Sequence, residues 1–170
     1  FNTGFLLRYG IRYDINSIGI DSSNKINLDK INPSLGLSYT INSSDNLFFS
    51  FGTSFETPTL NELSNNPDGS GFNKDLNSNN AVNYEIGWRK SLTNIAFEAV
   101  AYITNSDNEI LPYEIEQFPG KNFYRNVGST IRKGVELSST LSFDRGFFSL
   151  NYTLSKNRFK EFIFNGTDLS

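Results

Sequence analysis

Two groups of side chains in this sequence could bind a ligand or form ion pairs. The first group is charged and occupies polar positions of stretches in which apolar and polar residues alternate: Glu85, Arg89, Glu98 and Glu136. The second group mixes aromatic rings with cations within one polar stretch: Tyr113, Phe118, Lys121, Tyr124 and Arg125. Rings beside cations can grip an anionic, catechol-bearing ligand by stacking and charge. The same side chains can also simply pack against one another, and both interpretations stay open.

Catalysis and metal binding have little support in the composition. The 170 residues contain no His and no Cys, which removes the commonest general base, the commonest metal ligand and the thiol nucleophile. Ser, Lys and acidic residues show no nucleophile-and-base spacing. We therefore expect no enzyme, no metal site and no cofactor. The 15 basic and 18 acidic residues are interspersed and sum to −3, so the chain has no electrostatic footprint for nucleic acid.

The chemistry-bearing residues must be positioned by β-strands. Segments 4–15, 34–41, 46–55, 82–90, 95–104, 126–143 and 147–157 alternate apolar and polar residues with a period of two, which is typical of half-exposed strands. Aromatic residues reach 15% although the mean hydropathy is −0.39. Aromatic rings on one face and small polar groups on the other suit a wall between lipid and water.

The connections between these strands alternate in length. Long connections are predicted at 16–33, 56–81 and 105–123, and short ones at 42–45, 91–94 and 144–146. Outer-membrane barrels have short periplasmic turns and longer extracellular loops. The sequence therefore predicts an all-β, antiparallel transmembrane β-barrel, with apolar faces on lipid and Glu85, Arg89, Glu98 and Glu136 in the lumen. The first and seventh strands both run outward and cannot pair antiparallel, so we expect a fragment of about seven strands from a larger barrel.

Several single positions carry further expectations. Trp88, Tyr84 and Phe143 should form an aromatic girdle near the short turns. Lys133 falls on the lipid face, where a charge is costly, so we expect it above the membrane or beside a bulge. The loop at 56–80 is polar and is predicted to be solvated rather than to bind calcium.

Four segments resemble, in the same order, strands of TonB-dependent outer-membrane receptors. Residues 55–63 (Phe-Glu-Thr-Pro-Thr-Leu-Asn-Glu-Leu) look like the end of an outward strand, and residues 81–88 (Ala-Val-Asn-Tyr-Glu-Ile-Gly-Trp) look like the next inward strand. Residues 102–110 (Tyr-Ile-Thr-Asn-Ser-Asp-Asn-Glu-Ile) and 124–137 (Tyr-Arg-Asn-Val-Gly-Ser-Thr-Ile-Arg-Lys-Gly-Val-Glu-Leu) are similar to the two strands that follow. The resemblance covers roughly residues 34–152.

The resemblance implies a barrel of about 22 strands, plugged by an N-terminal domain, in the outer membrane of a Gram-negative bacterium. It further implies import of a ferric siderophore or similar iron chelate, energised by the TonB complex through that plug, which is absent from this chain. The implied partners are outer-membrane lipid, TonB and the small-molecule chelate, and the complete barrel is expected to be monomeric. Gly87 and Gly134, on the lumen side, would let the plug approach closely. The charged lumen residues would form structural ion pairs or take part in plug movement.

Two other functions compete with this one. A passive outer-membrane porin would share the barrel but lack the plug and the energy coupling, so a plug domain upstream would decide. A secreted all-β binding module would purify as a soluble monomer without detergent, whereas a barrel wall would not. The sequence leaves the cargo and the residues that contact it undetermined.

Overall fold

A computed structural model describes residues 3–19, 22, 25–69, 71–161, 163–164 and 167–168. The main strands are β1 (Gly4–Gly19), β2 (Lys25–Thr40), β3 (Asp45–Glu56), β4 (Asn79–Ser91), β5 (Ile95–Glu114), β6 (Asn122–Phe143) and β7 (Gly146–Glu161). A short helix, α1 (Leu60–Ser64), lies between β3 and β4. Two further strands of two residues each, β8 (Ile163–Phe164) and β9 (Thr167–Asp168), pair with one another.

The seven main strands form one antiparallel sheet in chain order, and each strand pairs with its sequence neighbour. This confirms the all-β antiparallel prediction. β1 and β7 are the edges of the sheet, so the sheet is open over the described residues. No helix in that part of the chain is long and apolar enough to cross a bilayer.

The strand register separates the side chains into two faces across all seven strands. One cross-strand row is entirely apolar: Leu7, Leu37, Phe49, Ile86, Ala101, Val135 and Leu154. We call the face that carries this row the outer face. Ile86 is 61% exposed there, so the outer face carries an exposed apolar row across the whole sheet. The neighbouring row lies on the opposite, inner face: Arg8, Gly36, Ser50, Glu85, Tyr102, Gly134 and Ser155.

The strands end as predicted at one end of the sheet and run further than predicted at the other. At the end with the short turns, which we call the short-turn end, every predicted boundary lies within one residue of the structure. At the long-loop end, β2 begins at Lys25 rather than residue 34, and β5 ends at Glu114 rather than residue 104. The loops predicted at 16–33 and 105–123 are therefore mostly strand, and that prediction was wrong. Residues 20, 21, 23 and 24 of the first loop lie outside the described residues.

The long connection between β3 and β4, residues 57–78, is packed rather than solvated, which corrects the expectation from its polar composition. Leu63 is fully buried and packs with Phe72 and Leu76. Ile18, Ile26, Ile110 and Tyr124 of the sheet pack against this cluster. Because Ile18 and Ile26 pair on the inner face, the connection folds back over that face, and we call residues 57–78 the roof.

Candidate functional site

A polar cavity of about 580 Å³ opens on the inner face near the long-loop end, where β3 and β4 enter and leave the roof. Its polar lining includes Ser54, Asn79, Asn83, Thr104, Arg132 and Asn157. These residues come from five neighbouring strands. Asn83, Thr104, Arg132 and Asn157 form one cross-strand row, and Ser54 and Asn79 lie nearer the roof. The cavity is a concave site with several convergent polar groups, the usual form of a small-molecule site.

Hydrogen bonds hold the cavity side chains in place by their oxygen atoms. The Thr104 hydroxyl donates to Asn83 Oδ1 at 2.8 Å, and the Ser106 hydroxyl donates to Asn79 Oδ1 at 2.7 Å. Over the residues that the structure describes, the NH₂ groups of Asn79 and Asn83 make no hydrogen bond to protein. The cavity therefore offers free amide donors on fixed side chains.

Arg132 adds a positive charge at the cavity wall. Its Nη2 donates to Glu109 Oε1 at 2.9 Å, and the Thr130 hydroxyl donates to the same oxygen at 2.6 Å. The Arg132 side chain is still about half exposed, at 52%. A guanidinium held by one carboxylate oxygen retains further N–H donors for an anionic ligand.

The four predicted lumen charges all lie on the inner face, but the structure joins only two of them. Arg89 and Glu98 are register partners and form an ion pair, and the Arg89 guanidinium lies 4.2 Å from the centroid of the Phe48 ring. Glu85 accepts a hydrogen bond from the Ser50 hydroxyl at 3.1 Å. Glu136 makes no ion pair or hydrogen bond within the described residues and lines a small cleft with Glu98. Contact of these four with a plug stays a prediction.

The inner-face glycines make room for aromatic rings of this chain, and the approach of a plug at these positions stays a prediction. A side chain at Gly87 would overlap the Phe48 ring from the neighbouring strand, and one at Gly134 would overlap Tyr102 and the Leu154 carbonyl. Both pairs are register partners. An aromatic ring laid across a facing glycine is a recognised device for stabilising a sheet. Phe48 and Tyr102 thus lie over Gly87 and Gly134 on the inner face.

Four of the five predicted ligand contacts gather at the tip of the β5–β6 hairpin, around a residue that the sequence analysis did not single out. Phe123 is only 1% exposed, with Tyr113 and Phe118 rings 6.1 and 5.7 Å away. Lys121 Nζ lies 5.0 Å from the Phe123 ring centroid, and Arg125 Cζ lies 4.7 Å from that of Tyr113. The cations already cover ring faces within this cluster. Phe118 nevertheless stays 49% exposed.

Tyr124 does not belong to that cluster, because neighbouring residues of a strand point to opposite faces. Tyr124 packs against the buried residues of the roof, and its hydroxyl accepts a hydrogen bond from Asn61 Nδ2 at 3.4 Å. The alternation of Phe123, Tyr124 and Arg125 along β6 could have revealed this separation, had the sequence analysis recognised that strand β6 already begins at Asn122.

The roof begins with a local signal that the sequence analysis passed over. Thr59 and Glu62 form a capping box: the Glu62 backbone N–H donates to the Thr59 hydroxyl at 3.3 Å, and the Thr59 N–H donates to Glu62 Oε2 at 2.7 Å. A threonine followed three residues later by glutamate is a known start signal for a helix. The helix places Leu63 at the centre of the buried cluster.

At the short-turn end, the outer face carries a bonded polar group beside the predicted girdle. Trp88 Nε1 donates to Asp45 Oδ1 at 3.1 Å, and Lys90 Nζ lies 3.1 Å from Asp45 Oδ2. Asp45 adjoins the turn, where the Ser44 hydroxyl and then Lys90 lower its carboxyl pKa to about 2. Tyr84 lies four residues further along β4, in mid-strand against Phe51, so its predicted place near the short turn was wrong.

Among the described residues, no three His, Cys, Asp or Glu side chains lie close enough together to hold a metal ion. The cavity presents amides, hydroxyls, the guanidinium of Arg132 and, at its margin, the carboxylate of Glu56. Such groups bind an anionic or polar organic ligand and orient it, and they offer no nucleophile with a base.

Comparisons with known proteins agree on the family. Residues 1–170 match the family model described as TonB dependent receptor-like, beta-barrel. The chain is 34% identical to the vitamin B12 transporter BtuB of Vibrio vulnificus over 107 residues. This aligned region covers 62% of this chain and 16% of that protein.

Solved structures show the same fold at lower identity. The FrpB iron transporter of Neisseria meningitidis (F5-1 variant) superposes with a TM-score of 0.73 at 19% identity, over 92% of this chain and 24% of that one. The ferric yersiniabactin uptake receptor FyuA of Yersinia pestis superposes with a TM-score of 0.68 at 18% identity, over 92% of this chain and 24% of that one. The chain therefore spans about a quarter of these structures and a smaller share of the curated relative.

Proposed function

This chain belongs to the β-barrel family of TonB-dependent receptors, which are outer-membrane proteins of Gram-negative bacteria, and from that premise we propose that it is part of a receptor that imports a ferric siderophore or similar iron chelate. Import is driven by the TonB complex, acting through a plug domain outside this chain. Family membership argues against an enzyme and against a secreted binding module, and it favours energised import over passive diffusion.

The observation that carries the proposal is the polar cavity beside the roof. Its free donors, the amides of Asn79 and Asn83 and the remaining N–H groups of Arg132, suit the anionic oxygens that surround a chelated ferric ion. The relatives with iron cargo, FrpB and FyuA, share this fold. The cavity faces the lumen at the long-loop end, where cargo arrives from the medium.

The tip of the β5–β6 hairpin gives a first contact for cargo. Phe118 and Lys121 are exposed there, while Phe123, Tyr113 and Arg125 hold the tip together. We assign Phe118 and Lys121 to ligand capture by stacking and charge, and Tyr113 and Arg125 to positioning. Tyr124 contributes through the roof, against which it packs.

The remaining partners follow from the same proposal. The outer face meets membrane lipid, the inner face meets the plug, and the complete barrel acts as a monomer. Arg89, Glu98 and Glu136 line the short-turn half of the inner face, and Glu85 lies in mid-strand on the same face. We place the plug against these four residues.

Vitamin B12 is the second candidate cargo, because the relative with 34% identity is named a vitamin B12 transporter. A corrinoid is larger and presents many peripheral amides and only one phosphodiester. It would therefore gain less from Arg132 than from the amides of the cavity.

Uptake by cells that carry the full-length gene tests both candidates. Cells lacking the gene should lose uptake of a radiolabelled ferric chelate and regain it with the parent gene. The double variant Asn83→Ala/Arg132→Ala should raise the half-saturating concentration about tenfold, because it removes charged and neutral hydrogen bonds to an anion. The matched variant Asn94→Ala/Arg145→Ala, with the same residue types in exposed short turns, should leave uptake unchanged.

Unchanged iron uptake in the deleted strain would remove the iron assignment. Competition of that uptake by excess cyanocobalamin, with loss of labelled cyanocobalamin uptake in the deleted strain, would favour the second cargo. Equal loss in the two double variants would show that the cavity does not bind cargo.

A further inference from the structure

Two lysines stand side by side on the outer face, where the rest of their row is apolar. The row runs through Tyr9, Leu35, Phe51, Tyr84 and Ile103 and then reaches Lys133 on β6 and Lys156 on β7. Lys133 and Lys156 are direct register partners, and the ladder shows no bulge at that point. Like charges placed directly opposite one another destabilise a sheet. The expected bulge beside Lys133 is therefore not what accommodates the charge.

Neither lysine is neutralised within the part of the chain that the structure describes. No ion pair, hydrogen bond or ring contact involves Lys133 or Lys156 there, and both are exposed. Arg158 follows on the same face of β7, opposite Ile131. The cations thus form a small positive patch on a surface that meets lipid.

The patch borders an apolar groove. An open groove of about 610 Å³ on this part of the sheet is lined by Ile103, Val135 and Leu154, with Lys133 and Lys156 beside them. An apolar floor with ammonium groups at its margin matches an amphiphile that has a hydrocarbon chain and an anionic head. The lysine stems can lie along the floor while their charges reach the headgroup level.

The position along the strands places the lysines at one lipid–water boundary. Each lies about ten residues from the β6–β7 turn, and about 3.4 Å per residue at a tilt near 40° gives a rise of roughly 25 Å. The apolar band of such barrels is also about 25 Å tall. The two ammonium groups therefore reach the level of the headgroups on the long-loop side, which is the outer leaflet.

We propose that Lys133 and Lys156, supported by Arg158, bind the phosphate of an anionic lipid of the outer leaflet, whose acyl chain lies in the groove beside Ile103, Val135 and Leu154. Charge complementarity carries the assignment, because a phosphate between the two ammonium groups removes their mutual repulsion. The site faces away from the lumen and is independent of the cargo proposed above.

Lipid retention by the purified full-length receptor tests this site. The delipidated receptor is titrated in detergent with bis-phosphorylated lipid A, with the same lipid after dephosphorylation and with inorganic phosphate alone, and bound lipid is counted by native mass spectrometry. The parent should prefer the phosphorylated lipid. Lys133→Gln/Lys156→Gln should weaken that binding roughly thirty-fold. Each lysine near an anionic surface contributes about 1 kcal/mol, and a tenfold change in affinity corresponds to about 1.4 kcal/mol.

Two variants guard the interpretation. Lys133→Arg/Lys156→Arg keeps the charges and should keep the lipid, which separates charge from folding. Lys25→Gln/Lys74→Gln removes the same net charge from exposed positions at the long-loop end and should bind as the parent does. The proposal fails if the Gln pair retains phosphorylated lipid, if the parent binds the dephosphorylated lipid equally well, or if inorganic phosphate alone binds as tightly as the lipid.

Discussion

Lysines on the outer face of this sheet are paired with an acid near the short turns and unpaired further along the strands. At the short-turn end, Lys90 is paired with Asp45, which also accepts the indole N–H of Trp88. About ten residues from the β6–β7 turn, on the same face, Lys133 and Lys156 stand together without an ion pair to an acid among the described residues. Groups bonded within the wall hold the wall together, whereas groups left free can bind something else. The difference therefore separates structural from binding chemistry along the strands.

The inner face repeats the contrast. Near the short turns, Arg89 forms an ion pair with Glu98 and a cation–π contact with the ring of Phe48. Near the long loops, Arg132 is half exposed and opens onto the cavity. Free donors there do not mean a loose structure, since the roof beside them has a buried apolar centre.

The largest effect should come from removing that buried centre. Leu63→Ala should cost about 3 kcal/mol of roof stability, because it leaves a cavity at a fully buried position. Limited proteolysis of residues 57–78 in the full-length receptor should then be about a hundred times faster, with the strands left intact. Leu60→Ala, in the same helix but half exposed, is the control. Equal cleavage of the two variants would mean that the roof is not packed as a unit.

A smaller effect is expected where glycine and ring interlock. Gly87→Ala should destabilise the barrel by about 2 kcal/mol, because the new methyl group displaces Phe48 from Arg89. Gly52→Ala, on the same face with open space above it, should change stability little. Urea unfolding in detergent, followed by heat-modifiable gel mobility, compares them. When Phe48 is first replaced by Ala, Gly87→Ala should lower the free energy of unfolding by less. An equal loss with and without Phe48 would contradict the proposed overlap.

The smallest effect separates the outer-face lysines directly. Lys90→Gln should lower the free energy of unfolding by about 1 kcal/mol, because it removes the cation that is bonded to Asp45. Lys133→Gln should be neutral or slightly stabilising in detergent without phosphorylated lipid, because it relieves repulsion from Lys156. The same urea titration measures both variants. A larger loss at Lys133 than at Lys90 would reverse the comparison between the two ends.

The sequence predicted the short-turn end better than the long-loop end for a physical reason. Within the lipid layer one face is apolar and the other polar, so alternation marks each strand, as in β3 and β4. Beyond that layer neither face is uniformly apolar, because the roof covers the inner face with a mixture of polar and apolar groups. A stretch such as Asn105 to Glu109 loses its alternation there, although all its residues except Asn108 stay paired with β6. Strand pairing without an apolar face left no pattern in the sequence from which to predict it.

The candidate site was predictable only in part. Alternation placed Glu85, Arg89, Glu98 and Glu136 on one face, but it could not show which of them pair, because pairing depends on register between strands. The buried Phe123 and the separation of Tyr124 required the true start of β6. The capping box at Thr59 and Glu62 was present in the sequence as a local signal.

Three hydrogen bonds between neutral groups join the roof to β6. The Asn73 amide donates to the Tyr124 carbonyl at 3.2 Å, while Asn126 accepts from the Asn77 N–H at 2.7 Å and donates to the Asn77 carbonyl at 2.9 Å. Dissolved ions screen interactions between exposed charges but leave hydrogen bonds between neutral groups almost untouched. These three hydrogen bonds should therefore keep their strength in fresh and in saline surroundings alike, while the ligand capture that we propose for Lys121 and Arg132 should weaken as ionic strength rises.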